Sequence, residues 1–216
     1  MAGVKRRVGV LISGRGSNLA ALLRAAHDPD YPAEVVLVIS NRADAAGLRY
    51  AEEAGAAVRV IEHRAFGRDR GAHEEAIDAA LRDAGVELVC LAGYMRLLTP
   101  LLVGRWGGRM LNIHPSLLPA FPGLDSHARA LAAGVKIHGC TVHLVTDATD
   151  QGPIIAQAAV PVLPDDDEAT LAARVLAEEH RIYPLALALI ATGRKGVPPD
   201  PGIALCNPLP GRKTLA

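Results

Sequence analysis

The residues with the clearest chemical potential lie at positions 112–119, with the sequence Asn-Ile-His-Pro-Ser-Leu-Leu-Pro. Asn112 and His114 are two residues apart, so on an extended strand both side chains point to the same face. Pro115 disfavours the α conformation for His114 and keeps the imidazole on extended backbone. An amide beside an imidazole can donate hydrogen bonds to an oxyanion and carry a proton. The residues alone leave open a capped strand end as the alternative.

A second candidate site is the glycine-rich segment 13–18, Ser-Gly-Arg-Gly-Ser-Asn, between an apolar strand and a predicted helix. Backbone N–H groups at the start of a helix can hold an anion. Leu19 stands where the third glycine of a dinucleotide-binding loop would be, so a single phosphate is the better ligand. A tight turn capped by Ser17 or Asn18 is the alternative.

Two aspartates, Asp147 and Asp150, share a loop that ends at Gly152. A carboxylate near an imidazole favours the imidazolium and orients the ring. Aspartates in such loops also commonly cap turns, which is the alternative interpretation of both.

Other reaction types are poorly supported by the sequence. His138 and His143 are an odd number of residues apart on one predicted strand, so they face opposite ways and cannot easily share a metal. Ser116 lacks the Gly-x-Ser-x-Gly setting of a serine hydrolase. The acidic run at 165–168 is typical of a solvated helix start. We therefore predict no metal site.

Composition restricts the class of protein further. The chain has 216 residues, with 23 Lys and Arg against 23 Asp and Glu, and this zero formal charge argues against a general nucleic-acid binder. Cys90, Cys140 and Cys206 are far apart, which favours a reducing cytoplasm over a disulfide framework. The apolar run at 185–191 is too short for a membrane span, so we interpret it as a buried helix.

Short β-branched runs alternate with stretches of helical periodicity along the chain. This pattern predicts a single-domain α/β fold with a mostly parallel, seven-stranded, Rossmann-like sheet, helices on both faces and antiparallel last strands. The domain is expected over residues 1–195, with an irregular tail over 196–216. The predicted strands are 8–13, 34–40, 57–61, 88–92, 110–114, 138–145 and 154–160, and the helices are 18–26, 45–54, 73–84, 126–133 and 168–191.

Five separated motifs, at 12–18, 112–119, 121–123, 150–155 and 179–184, together resemble the folate-dependent formyltransferases. The resemblance covers nearly the whole chain, with the motifs in order. It implies an enzyme of one-carbon metabolism that transfers a formyl group from 10-formyltetrahydrofolate, as co-substrate, to the amine of glycinamide ribonucleotide in purine biosynthesis. The expected partners are these small molecules, with neither nucleic acid nor membrane.

Related members of the same group are the nearest alternatives. Methionyl-tRNA formyltransferases carry a further C-terminal domain, and formyltetrahydrofolate hydrolases carry an N-terminal regulatory domain; from the chain length and a first strand near residue 8 we expect neither. A non-catalytic folate- or nucleotide-binding module is a third alternative. The presence of Asn112, His114 and Asp150 argues against it.

The resemblance also implies roles for individual residues. The catalytic residues would be Asn112, His114 and Asp150; the ribonucleotide would be bound by Gly16, Ser17 and Asn18 at its phosphate and by Glu179 at its ribose; and the folate cleft would be lined by Met95, Arg96, Leu97, Leu98, Asp147 and Gly152.

Two positions depart from the resembled family. Leu176 stands where some members present Lys or Gln to the phosphate, so the loop, or a cation such as Arg174 or Lys136, is expected to bind it. Asp125 stands where some members carry His, and we assign it no catalytic part.

Overall fold

A computed structural model describes residues 4–192, so the predicted tail from residue 196 onward lies outside the described residues. One sheet of seven strands has the order β3-β2-β1-β4-β5-β6-β7. The strands are β1 (Arg6–Ile12), β2 (Ala33–Ser40), β3 (Ala57–Val60), β4 (Leu88–Leu91), β5 (Met110–His114), β6 (Ile137–Leu144) and β7 (Ile154–Pro161).

Six α-helices and one short 3-10 helix are found in the described part of the chain. The α-helices are α1 (Ser17–Ala26), α2 (Leu48–Glu53), α3 (Arg70–Asp83), α4 (Pro100–Arg105), α5 (Ser126–Ala132) and α6 (Glu168–Ala191), and the 3-10 helix is His63–Phe66. The seven predicted strands and five predicted helices are all present. Within residues 4–192 no helix is both long and apolar enough to cross a membrane.

The strand pairings confirm the predicted fold class. β1 pairs in parallel with β2 and β4, and the parallel arrangement continues outward to β3 and β5. β6 is antiparallel to β5, and β7 is antiparallel to β6. The antiparallel part therefore includes the β5–β6 pair as well as the last two strands.

Two apolar cores, one on each face of the sheet, hold the helices. Alternate strand residues point to opposite faces, so Val10 packs with α1 and α6 while its neighbour Leu11 packs with α3 and α4. Because both faces are covered, the central strands are nearly continuous apolar runs. The helix predicted at 185–191 forms the last part of α6 and is buried on one side only, because Ala186 and Leu187 are fully buried while Leu185 is exposed.

Helix α4 was not predicted, although its start has a recognisable signal. Thr99 is the N-cap, its hydroxyl accepts from the backbone N–H of Leu101, and Pro100 occupies the first turn. The acidic run at 165–168 begins α6 as expected, because the Asp167 side chain forms a capping box with Thr170. Local capping therefore explains both helix starts.

Replacing Gly139 in β6 with alanine should destabilise the fold, because its Cβ would lie 2.0 Å from the carbonyl oxygen of Ala158 in β7. We expect a loss of about 1–3 kcal/mol in the free energy of unfolding, measured by urea denaturation. Gly104→Ala in α4 is the matched control, since an added Cβ meets nothing within 4 Å there. Equal effects of the two substitutions would contradict this account of β6–β7 packing.

Candidate active site

The predicted site residues gather where β1, β4 and β5 end. In the sheet, β2 and β3 lie on one side of β1, and β4 and β5 lie on the other. This reversal of strand order between β1 and β4 is the topological switch point at which α/β proteins bind ligands. Ser13, just after β1, accepts a hydrogen bond at its hydroxyl from the backbone N–H of Met95, after β4, at 2.8 Å. One buried hydroxyl thus links the glycine loop to the predicted folate loop.

The structure brings the three predicted catalytic residues together. His114, at the end of β5, is 6% exposed, and its Nε2 lies 3.0 Å from the carbonyl oxygen of Phe121. The other ring nitrogen, Nδ1, lies 3.4 Å from Oδ2 of Asp150. Asn112 is half-buried on the same strand. Amide, imidazole and carboxylate therefore share one corner of the sheet.

Asp150 is fixed by its backbone as well as by its neighbours. Its φ of 56° lies in the left-handed region, which Asp tolerates better than most residues. Oδ2 accepts a hydrogen bond from the backbone N–H of Gly123 at 2.8 Å, and the side chain is 10% exposed. Asp147, in the same loop, is exposed, so the structure places only Asp150 in the cluster.

His143 completes the cluster and was not predicted as a site residue. It lies on β6 directly opposite Asn112 in the β5–β6 register, and its Nε2 is 3.2 Å from Nδ2 of Asn112 and 3.7 Å from Oδ1 of Asp150. Burial lowers the pKa of His143 below its ordinary value. The signal that could have revealed this residue was the antiparallel pairing of β6 with β5.

His138 lies in a separate group of contacts on the same strand. Its Nε2 is 3.2 Å from Nδ1 of His127, and its ring packs against Phe121. Burial, with the nearby His127 as a smaller cause, lowers the pKa of His138 to about 4. Across residues 4–192, no group of three or more His, Cys, Asp or Glu side chains is arranged to hold a metal ion.

The glycine loop depends on a close approach between two backbones. Gly16 has φ of 75°, and a Cβ there would lie 2.5 Å from the Cα of Gly47. Gly47 also donates its backbone N–H to the carbonyl oxygen of Gly14 at 3.0 Å. Gly16 is the N-cap of α1 and supplies no side-chain cap, so the alternative in which Ser17 or Asn18 caps the helix is wrong.

Asn18 and Glu179 are joined by a buried hydrogen bond. Nδ2 of Asn18 donates to Oε2 of Glu179 at 2.7 Å, and both residues are buried. Burial raises the pKa of the Glu179 carboxyl above its ordinary value, and the bond from Asn18 opposes part of that rise. Oδ1 of Asn18 is buried and has no hydrogen-bond partner among the described residues. The structure thus connects two residues to which the family resemblance assigns different parts of a ribonucleotide.

The predicted folate loop lies between β4 and α4. Met95 and Leu97 are strongly exposed, while Arg96 and Leu98 are partly buried. The loop is held by two anchors: Arg70 donates from Nη2 to the carbonyl oxygen of Leu97, and the buried Glu74 accepts from the backbone N–H of Thr99 at 2.7 Å. The exposed apolar side chains therefore stand on a fixed backbone.

The structure also shows the surroundings of Gly152 and of the two positions, Leu176 and Asp125, that depart from the resembled family. A Cβ at Gly152 would lie 1.7 Å from the carbonyl oxygen of Leu144, so this glycine lets the 146–152 loop lie against β6. Leu176 is partly buried on α6, three residues before Glu179. Asp125 is exposed and is the N-cap of α5, with no side-chain cap.

Comparison with known proteins identifies the class. The chain belongs to the formyl transferase family, whose profile matches residues 6–187. It is 46% identical to a phosphoribosylglycinamide formyltransferase of Escherichia coli strain K12, over 86% of this chain and 87% of that protein. A solved phosphoribosylglycinamide formyltransferase structure from Brucella melitensis has a TM-score of 0.83 and 57% identity, covering 88% of this chain and 97% of that chain.

Longer relatives contain a similar region. The human trifunctional purine biosynthetic protein adenosine-3 is 50% identical over 88% of this chain. The chain spans about a fifth of the length of that relative, with 19% of it covered.

The raised pKa of Glu179 predicts a pH-dependent stability. Because the native state holds this proton more tightly than the unfolded state, Glu179 should lower the free energy of unfolding as pH rises from its ordinary pKa to its raised native pKa. Glu179→Gln should remove that loss, so the variant gains stability relative to the parent protein over this interval. Urea denaturation between about pH 4 and pH 8 measures the difference.

Glu178→Gln, on the same helix, is the matched control, because Glu178 pairs with Arg181 rather than with Asn18. Parallel stability curves for the parent protein and Glu179→Gln would contradict the predicted pH dependence.

Proposed function

We propose that this chain transfers a formyl group from 10-formyltetrahydrofolate to the amine of glycinamide ribonucleotide, a step of purine biosynthesis. The products would be formylglycinamide ribonucleotide and tetrahydrofolate. The observation that carries the proposal is the cluster of Asn112, His114 and Asp150 beside a glycine-rich helix start, in a chain of the formyl transferase family. The name of the E. coli relative supports this choice of acceptor.

The reaction exchanges one carbon–nitrogen bond for another. The amine nitrogen attacks the formyl carbon, and the carbonyl oxygen becomes an oxyanion as the new bond forms. The bond from the formyl carbon to the folate nitrogen then breaks, and a proton lost by the amine reaches that nitrogen. A site for this reaction must supply donors to the oxyanion and groups that move the proton.

Asn112 and His114 are the proposed oxyanion donors. Both lie on β5 with side chains directed to one corner of the sheet, and each has a polar neighbour that restricts its orientation. Donors fixed before the reaction stabilise a developing charge more than mobile ones, because the site does not reorganise as the charge forms.

Asp150 is the proposed partner of the imidazole. Its carboxylate faces Nδ1 of His114 at 3.4 Å, and the carbonyl oxygen of Phe121 faces Nε2 at 3.0 Å. To donate to the oxyanion, Nε2 would exchange the Phe121 carbonyl for the formyl oxygen, while Asp150 keeps its place at Nδ1. We assign Asp150 the tasks of orienting the ring and compensating its positive charge during proton transfer.

The ribonucleotide is proposed to bind along the glycine loop and α6. The start of α1 has no side-chain cap, so backbone N–H groups at Gly16, Ser17 and Asn18 can serve a phosphate. Glu179 would accept hydrogen bonds from the ribose hydroxyls. Because the amide of Asn18 donates to Glu179, we infer that the Asn18 side chain orients this carboxylate while its backbone serves the phosphate.

The structure gives little support to Arg174 or Lys136 as a side-chain cation that binds the phosphate. Arg174 donates to both carboxylate oxygens of Asp166, at 2.6 and 2.8 Å, so recruiting it would break an existing ion pair. Lys136 is exposed in the turn just before β6. We therefore propose that the backbone of the glycine loop replaces the polar contact that Leu176 does not provide.

The formylfolate is proposed to occupy the cleft beside the 95–98 loop, with Asp147 and Gly152 on its other side. The backbone of Met95, Leu97 and Leu98 would read the pterin, and Arg96 would approach the glutamate tail. The hydrogen bond from the backbone N–H of Met95 to the Ser13 hydroxyl supports this placement, because it sets the folate loop beside the ribonucleotide loop. We propose a reaction without a metal.

The proposed setting is cytoplasmic, with small-molecule substrates only. Cys90 and Cys140 are free, buried thiols, as in proteins kept under reducing conditions. The zero formal charge supports an acceptor other than nucleic acid.

Asn112→Ala or His114→Ala should each lower turnover by about 100- to 1,000-fold, the effect of losing one oxyanion donor. Asp150→Asn should lower kcat more than it changes KM, since the carboxylate is assigned to the charged ring and not to substrate. Asp125→Asn is the matched control: it makes the same change at an exposed residue with nearly the same backbone, φ 55° against 56°. Near-parental turnover of a folded Asn112→Ala or His114→Ala protein would refute the assignment.

The choice of acceptor is tested with purified protein and 10-formyltetrahydrofolate. Tetrahydrofolate should form rapidly only when glycinamide ribonucleotide is present, and slowly with methionyl-tRNA or with water alone. The dephosphorylated acceptor should react poorly, because the remote phosphate supplies binding energy that positions the amine. Efficient formylation of methionyl-tRNA, or donor consumption without an amine, would replace the proposal with the corresponding alternative.

A further inference from the structure

His143 has one ring nitrogen whose role is fixed by its partner. Nδ1 lies 2.9 Å from the carbonyl oxygen of Leu144. A carbonyl oxygen can only accept a hydrogen bond, so Nδ1 must carry a proton. In the neutral ring this leaves Nε2 as a hydrogen-bond acceptor.

The acceptor nitrogen of His143 faces the side-chain amide of Asn112. The 3.2 Å distance joins Nε2 of His143 to Nδ2 of Asn112, which carries two hydrogens. If the amide were turned over, Oδ1 would face the lone pair of Nε2, and two acceptors would oppose each other. The neutral ring therefore accepts one hydrogen of Asn112 and leaves the second for another acceptor.

The surroundings of His143 favour its neutral form. The residue is 2% exposed, and burial is the largest cause that lowers the pKa of its ring; His114 adds to this, while the Leu144 carbonyl and Asp150 oppose it. Asp150 interacts more closely with other groups than with His143. Its Oδ2 accepts a hydrogen bond from Gly123 and lies 3.4 Å from His114, whereas its Oδ1 lies 3.7 Å from His143. The two histidines beside the carboxylate are thus not equivalent.

We propose that His143 is a positioning residue that holds the Asn112 amide in one orientation, with one N–H bonded to the ring and the other available to the formyl oxygen. The catalytic consequence rests on the proposed function, since it takes Asn112 as an oxyanion donor. The tautomer of His143 does not rest on it, because the Leu144 carbonyl alone requires a proton on Nδ1.

The first test measures the tautomer in the substrate-free protein. Two-bond proton–nitrogen correlations of the ¹⁵N-labelled histidine rings distinguish the Nδ1–H form, the Nε2–H form and the imidazolium. We expect His143 to be neutral and protonated on Nδ1 at pH 7. An Nε2–H tautomer or an imidazolium would overturn the inference, whatever reaction the protein catalyses.

The second test compares two substitutions at the same position. The side-chain oxygen of glutamine can accept a hydrogen bond where Nε2 does, whereas leucine cannot. We expect His143→Leu to lower kcat by about 10- to 100-fold, less than loss of the donor itself, with little change in KM for either substrate. His143→Gln should keep kcat within a few-fold of the parent. His27→Leu, at an exposed histidine, controls for the substitution.

A double-mutant cycle separates positioning from a general packing effect. In an Asn112→Ala background, His143→Leu should have little further effect on kcat, because no amide remains to be oriented. Parental kcat in a folded His143→Leu protein, equal losses in the leucine and glutamine variants, or full additivity with Asn112→Ala would each refute the positioning role. If the leucine variant does not fold, the tautomer measurement and the glutamine variant decide.

The outcomes also distinguish this inference from the proposed function. A parental rate for Asn112→Ala, combined with an Nδ1–H tautomer, would reject Asn112 as an oxyanion donor and leave the tautomer of His143 established. A low rate for Asn112→Ala, combined with a parental rate for His143→Leu, would support Asn112 as an oxyanion donor and reject only the positioning role of His143.

Discussion

A carboxylate that is shielded from water needs hydrogen-bond donors from the protein in place of water. This requirement determines how the residues around Asp150 are arranged. The backbone N–H of Gly123 meets the requirement directly and ties the loop after β5 to the loop before β7. The imidazole of His114 lies on the same oxygen. The Asp150 carboxylate thereby holds together the loop after β5 and the loop before β7. Its position also fixes the orientation of the neighbouring His114 ring.

The change from parallel to antiparallel pairing supplies the remaining geometry. The parallel strands β1, β4 and β5 bring their carboxyl ends to one edge, where Ser13 connects two loops. β6 then runs back along β5, so His143, the next-to-last residue of β6, lies opposite Asn112 in the middle of β5.

Features that depend on short-range sequence patterns, such as strand positions and strand faces, were predicted from the sequence. Contacts that depend on which distant segments lie side by side were not. β-branched runs located all seven strands, and Asn112 and His114 were placed on one face because alternation is local. His143 was considered only as a possible metal partner of His138, since nothing in the spacing of two residues on β6 reveals which strand lies beside it. The position of Asn18 in the sequence is typical of a helix cap. Its side-chain amide instead donates a hydrogen bond to Glu179, 161 positions away.

The contact between Gly16 and Gly47 has a consequence for how this sequence can vary. A methyl group on either residue would occupy the space of the other backbone, at 2.5 Å in one direction and 2.8 Å in the other. The two positions are therefore constrained as a pair although they are 31 positions apart in the sequence. Random mutagenesis followed by selection should return glycine at both, and the narrow tolerance at 47 would come from the shape of a neighbouring loop and not from any chemistry of its own.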